Sequence, residues 1–172
     1  MNMRRLSAYA AALVLVAAGV LVAATPAYAN QGVLIFNRGS RKCLTPLNGS
    51  SAQGAPIVQE PCIGSFGQHW FFDGMTGQSR RVHNLDTNLC LFASNVANGA
   101  PVYQEPCGFI DTNWAMTDLP AEGKLRVLRF TLWGTNTCLD LENGWLDDGV
   151  VMQVWSCNLS TNNQKWYAMT VA

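Results

Sequence analysis

Six cysteines are the residues whose type and spacing point most directly to chemistry. They form three successive pairs of nearly constant spacing: Cys43 and Cys62, Cys90 and Cys107, Cys138 and Cys157. An even count at regular spacing is typical of disulfides in oxidising compartments. Only the repetition favours pairing in this order, and other pairings fit the count equally. Metal binding would compete, but the chain has no Cys-x-x-Cys and only two histidines, so we predict three disulfides, no metal and no cofactor.

Residues 1–29 have the composition of a secretory signal peptide. Two arginines precede an apolar stretch over 10–24, and Ala27-Tyr28-Ala29 places small residues where a signal peptidase cleaves. A membrane anchor is the alternative, but the stretch is short for a bilayer span and no charged stop-transfer segment follows it. We therefore expect a secreted, extracellular protein whose mature form is not held in a membrane.

The composition of the remaining chain narrows the choice of partner. Removal of the signal peptide takes two arginines with it, so acidic residues slightly outnumber basic ones, and nucleic-acid binding is not expected. Residues 30–172 are enough for one domain with one core. Charged residues make up only 13% of the chain, which has six tryptophans. Such a surface suits neutral polar ligands, while the oligomeric state stays open.

Three blocks of sequence repeat at a period of about 47 residues, with approximate bounds 30–76, 77–121 and 122–172. Each block holds a Cys-Leu pair, a segment that ends at the second cysteine, and a tryptophan. The Cys-Leu segments are Cys43-Leu44-Thr45, Cys90-Leu91-Phe92 and Cys138-Leu139-Asp140, and the tryptophan triplets are Gln68-His69-Trp70, Thr112-Asn113-Trp114 and Gln164-Lys165-Trp166. Because the tryptophans recur whatever else changes in a block, we predict that they form the core.

Short β-prone runs, such as 33–36, 57–59 and 150–154, alternate with clusters of Gly, Asn, Ser and Pro. This pattern indicates strands and turns. The stretch 125–133 fits neither a period of two nor a helical stripe, and we assign it as strand from its neighbours. About four strands per block give about twelve in an all-β fold, with three blocks around a pseudo-threefold axis and the chain ends paired, which removes open sheet edges.

These residues resemble the ricin-type β-trefoil lectins, which are also classed as a carbohydrate-binding module appended to bacterial glycosidases. The resemblance covers nearly all of residues 30–172. It rests on the threefold repeat, the cysteine pairs and the Gln-x-Trp motif, which is complete in the first and third blocks and altered in the second. The resemblance implies a β-trefoil with one disulfide per repeat and carbohydrate as the partner. The leader resembles those of actinobacterial proteins.

In this family, a carboxylate two positions after the first cysteine accepts hydrogen bonds from sugar hydroxyls, and an aromatic residue two positions before the second cysteine stacks on the ring. The third block has both, as Asp140 and Trp155. An ionised aspartate can accept charge-assisted bonds from two hydroxyls. The resemblance also assigns Gln153 and Asn163 to sugar hydroxyls, and Gln164 to holding the carboxylate in place. Taken singly, each residue also fits a purely structural role.

The first two blocks depart from this pattern, so we predict that they bind no sugar. The carboxylate is replaced by Thr45 and Phe92, and the aromatic by Glu60 and Glu105. Tyr103 shares a strand face with Glu105 and could supply a displaced ring, but no carboxylate would orient a sugar there. Gln59 and Gln104 lie one position later than the glutamine of the third block, and we expect them on the opposite strand face.

The stretch 140–149 forms an acidic and aromatic loop beside the predicted site, with Glu142, Trp145, Asp147 and Asp148. Trp145 extends the sugar platform in one interpretation, and the loop is a solvated hairpin tip in the other. The oxygen spacing does not match an EF-hand calcium loop. Two carboxylates could serve a glycosidase, but no other catalytic motif accompanies them, and we expect no enzyme.

The sequence therefore predicts non-catalytic carbohydrate binding through one site in the third repeat. Glycans of the galactose, xylose or arabinose type, or a plant polysaccharide, fit these residue types equally, because the same side chains can serve different hydroxyl orientations. The alternative is a secreted β-trefoil scaffold for protein recognition, such as a protease inhibitor, with a vestigial sugar site. Two degenerate repeats out of three motivate that alternative.

Overall fold

A computed structural model describes residues 32–73 and 79–170 of the chain. The predicted signal peptide, residues 1–29, lies outside the described residues. Within the described part, no helix is long and apolar enough to span a bilayer.

The structure is an all-β fold of twelve strands, as predicted from the sequence. The strands are β1 Val33–Asn37, β2 Cys43–Pro46, β3 Ile57–Glu60, β4 His69–Asp73, β5 Ser79–Asn84, β6 Cys90–Ala93, β7 Ala100–Glu105, β8 Asn113–Glu122, β9 Leu125–Leu132, β10 Thr137–Leu141, β11 Met152–Ser156 and β12 Trp166–Thr170. The stretch assigned as strand from its neighbours is β9. Short 3-10 turns lie between strands, at Leu47–Gly49, Phe66–Gln68, Ile110–Thr112 and Glu142–Gly144.

Each repeat contains a hairpin whose two strands are joined by a disulfide. The hairpins are β2–β3, β6–β7 and β10–β11, and their disulfides are Cys43–Cys62, Cys90–Cys107 and Cys138–Cys157. The pairing predicted from repetition is confirmed. The register is the same in all three hairpins, because the first cysteine always lies opposite the residue two positions before the second cysteine. These residues are Glu60, Glu105 and Trp155. Corresponding positions in the repeats can therefore be compared residue by residue.

The first and last described strands close the fold. Strand β1 pairs with β12 in antiparallel register, from Val33 opposite Thr170 to Asn37 opposite Trp166. Strand β12 also pairs with β9. The terminal strands are thus held inside the sheet instead of forming open edges.

The core is one apolar cluster that includes the three repeated tryptophans. Trp70, Trp114 and Trp166 are fully buried in one apolar cluster. Each indole Nε1 donates to the carbonyl oxygen of the leucine after the first cysteine, over 3.1, 3.0 and 3.2 Å. The tryptophan of each repeat therefore satisfies its own polar atom and fixes the hairpin strand that carries the candidate site position.

Two buried glutamines join neighbouring repeats. Gln104 Nε2 donates to the carbonyls of Ser50 and Ala52 in the first repeat, both over 2.8 Å. Gln59 Nε2 donates to two carbonyls of the loop after Glu142–Gly144 in the third repeat, over 2.9 and 2.7 Å. Both glutamines face away from the hairpin surface that carries the site positions, as predicted from their offset.

Candidate functional site

A cleft of about 460 Å³ opens over the hairpin β10–β11 of the third repeat. Its lining includes all five residues predicted to form the sugar site, Asp140, Gln153, Trp155, Asn163 and Gln164. These residues come from three separate segments of the chain, two strands and the loop that leads into β12. The fold therefore brings the predicted set together on one surface.

The Asp140 carboxylate is the fixed point of the cleft. Its side chain is only 5% exposed. Gln153 lies directly opposite on the neighbouring strand, and its Nε2 donates to Asp140 Oδ1 over 2.9 Å, while Gln164 Nε2 donates to Oδ2 over 3.0 Å. Burial raises the pKa of Asp140 above its usual range, and the two amide hydrogen bonds offset part of that rise.

Gln164 is predicted to hold Asp140 in place, and it is hydrogen-bonded to that carboxylate. Its Nε2 also donates to the carbonyl of Ser156 over 3.1 Å, and its Oε1 accepts from the backbone N–H of Asn158 over 2.7 Å. The equivalent glutamine of the first repeat, Gln68, makes similar bonds to its own loop through Ile63 N–H, among others. The motif therefore folds the loop in both repeats, and only in the third does it also hold a carboxylate.

Gln153 is hydrogen-bonded to Asp140, and its predicted contact with sugar hydroxyls stays a prediction. Its amide nitrogen is already engaged by Asp140, and the side chain is largely buried. The structure gives it a positioning role beside Gln164. Its Oε1 and its second Nε2 hydrogen are the atoms that could contact a ligand hydroxyl.

Trp155 forms the apolar wall of the cleft. Its side chain is 44% exposed, although it lies on a strand that is buried over Met152–Val154. A loop of the second repeat supports it: Asn98 Oδ1 accepts from Ser156 N–H and Oγ over 2.7 and 3.0 Å, and a Cβ placed at Gly99 would lie 3.8 Å from the indole ring. The indole ring thus lies beside a loop of the second repeat and stays accessible.

Asn163 closes the cleft on the side of the turn Glu142–Gly144. Its carbonyl accepts from Leu141 N–H over 3.1 Å and from Asn37 Nδ2 over 3.0 Å. The asparagine side chain packs against Gly144, which has a φ of +67°, and a Cβ there would lie only 2.6 Å from Asn163 Oδ1. The glycine is therefore required both by its backbone conformation and by the close approach of this side chain.

Sequence reasoning missed several polar residues that line the same cleft. They are Asn143, Ser156, Asn158 and Thr161. One signal was present, because Asn143-Gly144 recurs in the first repeat as Asn48-Gly49, and all four residues have positive φ. The others lie in the loop between the last cysteine and the Gln-x-Trp motif, where no repeated pattern marks them.

Trp145 does not line the cleft, although its side chain is 53% exposed. Its loop is attached to the first repeat, since its carbonyl accepts from Gln59 and Asp148 forms an ion pair with Lys42. The proposed extension of the sugar platform by Trp145 stays a prediction.

The corresponding surfaces of the other two repeats lack the central carboxylate. In the first repeat, Thr45 lies opposite Val58. In the second, Phe92 lies opposite Tyr103, and its ring packs against Phe109 with centroids 5.8 Å apart. Neither equivalent position therefore has a carboxylate that an amide could hold in place.

Comparison with solved structures gives the same fold. The designed threefold-symmetric protein ThreeFoil has a TM-score of 0.76 at 23% identity, covering 83% of this chain and 100% of that one. The Macrolepiota procera ricin B-like lectin, solved with lactose, has a TM-score of 0.67 at 19% identity, covering 82% and 96%. An exo-β-1,3-galactanase from Clostridium thermocellum has a TM-score of 0.76 at 24% identity and covers 83% of this chain, which spans only 30% of that enzyme.

The sequence itself carries the family assignment. No curated protein matches the chain. Residues 31–166 match the ricin-type β-trefoil lectin domain, and this range includes all three hairpins, all three disulfides and the whole cleft. The chain therefore belongs to the ricin-type β-trefoil lectin domain family.

Proposed function

We propose that this protein binds carbohydrate without catalysis, through a single site in the cleft of the third repeat. Membership of a lectin domain family and the lectin structures of the same fold support carbohydrate binding in general. The single-site proposal depends on one observation. Asp140, with both carboxylate oxygens fixed by amides, faces the same cleft as the half-exposed ring of Trp155.

The carboxylate is prepared to accept hydroxyl groups. Each oxygen of Asp140 receives one amide hydrogen bond, from Gln153 or Gln164, and an ionised carboxylate oxygen has a further lone pair to offer. Two neighbouring hydroxyls of one sugar ring can therefore donate to it together. Because both amides hold the carboxylate before the ligand arrives, little rotational freedom is lost on binding.

Trp155 supplies the apolar half of the recognition. The face of a pyranose that carries C–H groups can lie on the exposed indole ring, which removes apolar surface from water. The rest of the rim is uncharged and polar, with Asn143, Asn158 and Asn163 around the carboxylate. This combination suits a neutral sugar of the galactose, xylose or arabinose type, free or as part of a plant polysaccharide.

A single open site implies weak binding of a monosaccharide. We expect a Kd on the order of 0.1 to 10 mM, or about 3 to 5 kcal/mol. Proteins with several live sites gain avidity on polymers, and one site forgoes that gain unless the protein oligomerises or contacts an extended chain.

The proposal that the protein is not an enzyme follows from the composition of the cleft. Glycoside hydrolysis needs two carboxyl groups on either side of one bond. Among the residues that line the cleft, Asp140 is the only acid. Two of the similar structures are glycosidases, and this chain spans only 30% and 33% of their lengths. Most of the length of each of those enzymes therefore lies outside the part that resembles this chain.

The leader supports the further proposal that this is a secreted bacterial protein.

A protein-recognition scaffold, such as a protease inhibitor, is the second candidate. Exposed apolar side chains on the first two repeats favour it, with Phe66 at 69% and Phe109 at 50% exposure. In that case the cleft of the third repeat would be vestigial.

The test compares wild type with Asp140→Ala on a glycan array and on insoluble xylan and arabinogalactan. We expect wild type to bind and Asp140→Ala to lose all detectable binding. Thr45→Ala is the matched control, because Thr45 occupies the same register position in the first repeat and is also buried, and it should bind as wild type does.

Circular dichroism on all three proteins checks that loss of binding is not loss of fold. Binding that survives Asp140→Ala would move the site elsewhere. Absence of binding by wild type would reject carbohydrate recognition in favour of the scaffold.

A further inference from the structure

The three disulfides differ in the side chain that faces them. In each repeat, the strand before the first cysteine places one residue opposite it: Phe36 opposite Cys43, His83 opposite Cys90 and Thr131 opposite Cys138. The three equivalent positions therefore offer an apolar ring, an imidazole and a hydroxyl. Of these three groups, only the imidazole can carry a positive charge or supply a proton near neutral pH.

The imidazole of His83 lies against the disulfide of the second repeat. Its Nδ1 is 3.4 Å from Cys107 Sγ. The ring nitrogen and both sulfurs lie within 4.8 Å of one another. Three such atoms could hold a metal ion if the cysteines were free, but Cys90 and Cys107 are bonded to each other. What the histidine faces in this state is a disulfide.

The surroundings of His83 fix which nitrogen faces the sulfur. The side chain is only 8% exposed, and its ring stacks on Phe71 with centroids 4.4 Å apart. Its Nε2 lies 3.4 Å from Asp73 Oδ2. Arg81 Nη1 is 3.9 Å from the same carboxylate oxygen. Asp73, which also pairs with Arg81, therefore lies at the Nε2 edge, and the carboxylate of Glu105 lies on the strand on the other side of Cys90. The Nδ1 edge faces the disulfide.

We propose that the Cys90–Cys107 disulfide is a site of thiol–disulfide exchange with an external thiol, activated by His83. The thiolate attacks Cys107, whose side chain is partly exposed, whereas Cys90 is buried. A bond forms between the external sulfur and Cys107 Sγ, the Cys90–Cys107 bond breaks, and its electron pair leaves on Cys90 Sγ. The imidazole Nδ1–H, 3.4 Å from Cys107 Sγ and within 4.8 Å of Cys90 Sγ, stabilises the negative charge that develops on the two sulfurs as the bond breaks. A better-stabilised leaving thiolate departs faster.

Exposure alone predicts a different order. Cys62 is exposed to solvent, whereas Cys107 is only partly exposed. If access to the sulfur decided the rate, the disulfide of the first repeat would open first. The proposal requires the second to open first in spite of its lower exposure.

The test uses the oxidised protein and reduced glutathione as the probe thiol. Samples are quenched with iodoacetamide over time, and peptide mass spectrometry reports the state of all six cysteines. We expect Cys107 to carry glutathione and Cys90 to become alkylated first, about tenfold faster than either other pair opens. Equal rates in the three pairs, or first opening of Cys43–Cys62, would overturn the proposal.

Two variants of His83 use the residues that the other repeats have at the same position. His83→Phe copies the first repeat and His83→Thr copies the third, and both should slow opening of Cys90–Cys107 to the rate of the other pairs. A merely structural histidine predicts the reverse, because loosening the packing would expose the disulfide and speed its opening.

Discussion

The second and third repeats share a backbone and differ in what their hairpins present. Both hairpins have the same register and a disulfide at the same place. Asp140 and Trp155 of the third repeat are replaced by Phe92 and Glu105 in the second. The comparison shows that the residues that hold a repeat together lie apart from those that we propose to bind a ligand.

The second and third repeats share the contacts that their tryptophans make in the core. Trp114 and Trp166 are both fully buried, and each donates to the leucine carbonyl of its own hairpin. These contacts face inward, whereas the site positions lie on the outward surface of the same strands. The side chains at the proposed site positions can therefore differ between repeats while the contribution of each repeat to the core stays intact.

The contacts between repeats differ as well. Gln104 ties the second repeat to a loop of the first, but the corresponding residue of the third repeat is Val154, which has no amide. There the neighbouring loop is attached through Asn98, whose Oδ1 accepts from Ser156 beside Trp155. In the third repeat, the link between repeats therefore adjoins the cleft.

The largest expected effect is on the free energy of unfolding, and it tests whether the core tryptophans of the two repeats are equivalent. Trp114→Ala and Trp166→Ala should each lower the free energy of unfolding by about 3 to 5 kcal/mol, because each leaves a large cavity in the same core. Urea denaturation followed by circular dichroism measures both. If Trp114→Ala proved nearly neutral while Trp166→Ala was severe, the repeats would not be equivalent in the core.

An intermediate effect, on glycan affinity, tests the site position at which the third repeat has Trp155 and the second has Glu105. Trp155→Ala should weaken glycan binding by tenfold or more, which is about 1.4 kcal/mol or more, because the apolar wall of the cleft is removed. Its melting temperature should stay close to that of wild type, since the ring is 44% exposed. Glu105→Ala changes the same register position of the second repeat and should leave titration calorimetry unchanged. Weaker binding by Glu105→Ala would give the second repeat a part in recognition.

The smallest effect concerns the pH dependence of the cleft. Sugar hydroxyls donate to the ionised form of Asp140, whose pKa is raised by burial. Affinity should therefore be full near neutral pH and fall several-fold as the pH drops through this raised pKa, earlier than for an ordinary aspartate near 4. Titration calorimetry at a series of pH values measures it. Affinity that stayed constant down to about pH 4 would contradict this account.

The stability contribution of the same group has the opposite sign. A carboxyl whose pKa is raised in the folded state favours its protonated form there, so its contribution is fully present below the unfolded pKa and is lost as the pH rises through the folded pKa. Asp140→Asn is the matched control for both effects. It should bind no sugar at any pH, and its free energy of unfolding should not change with pH over the range in which the Asp140 contribution does.

Some features of this protein were determined by the sequence alone. The repeated cysteines predicted the disulfide pairing, the recurring tryptophans predicted the core, and the strand runs predicted the twelve strands. These features are periodic along the chain, and a period reports local conformation and the buried face directly. The offset of Gln59 and Gln104 predicted their opposite face for the same reason.

Other features were decided only by the tertiary structure. The engagement of Gln153 by Asp140, the support of Trp155 by Asn98 and Gly99, and the approach of His83 to Cys107 join segments that are distant in sequence or lie in different repeats. A sequence period shows which face a side chain occupies, but it does not show which side chain of another segment meets it. That partner is set by how the three repeats pack around the shared core.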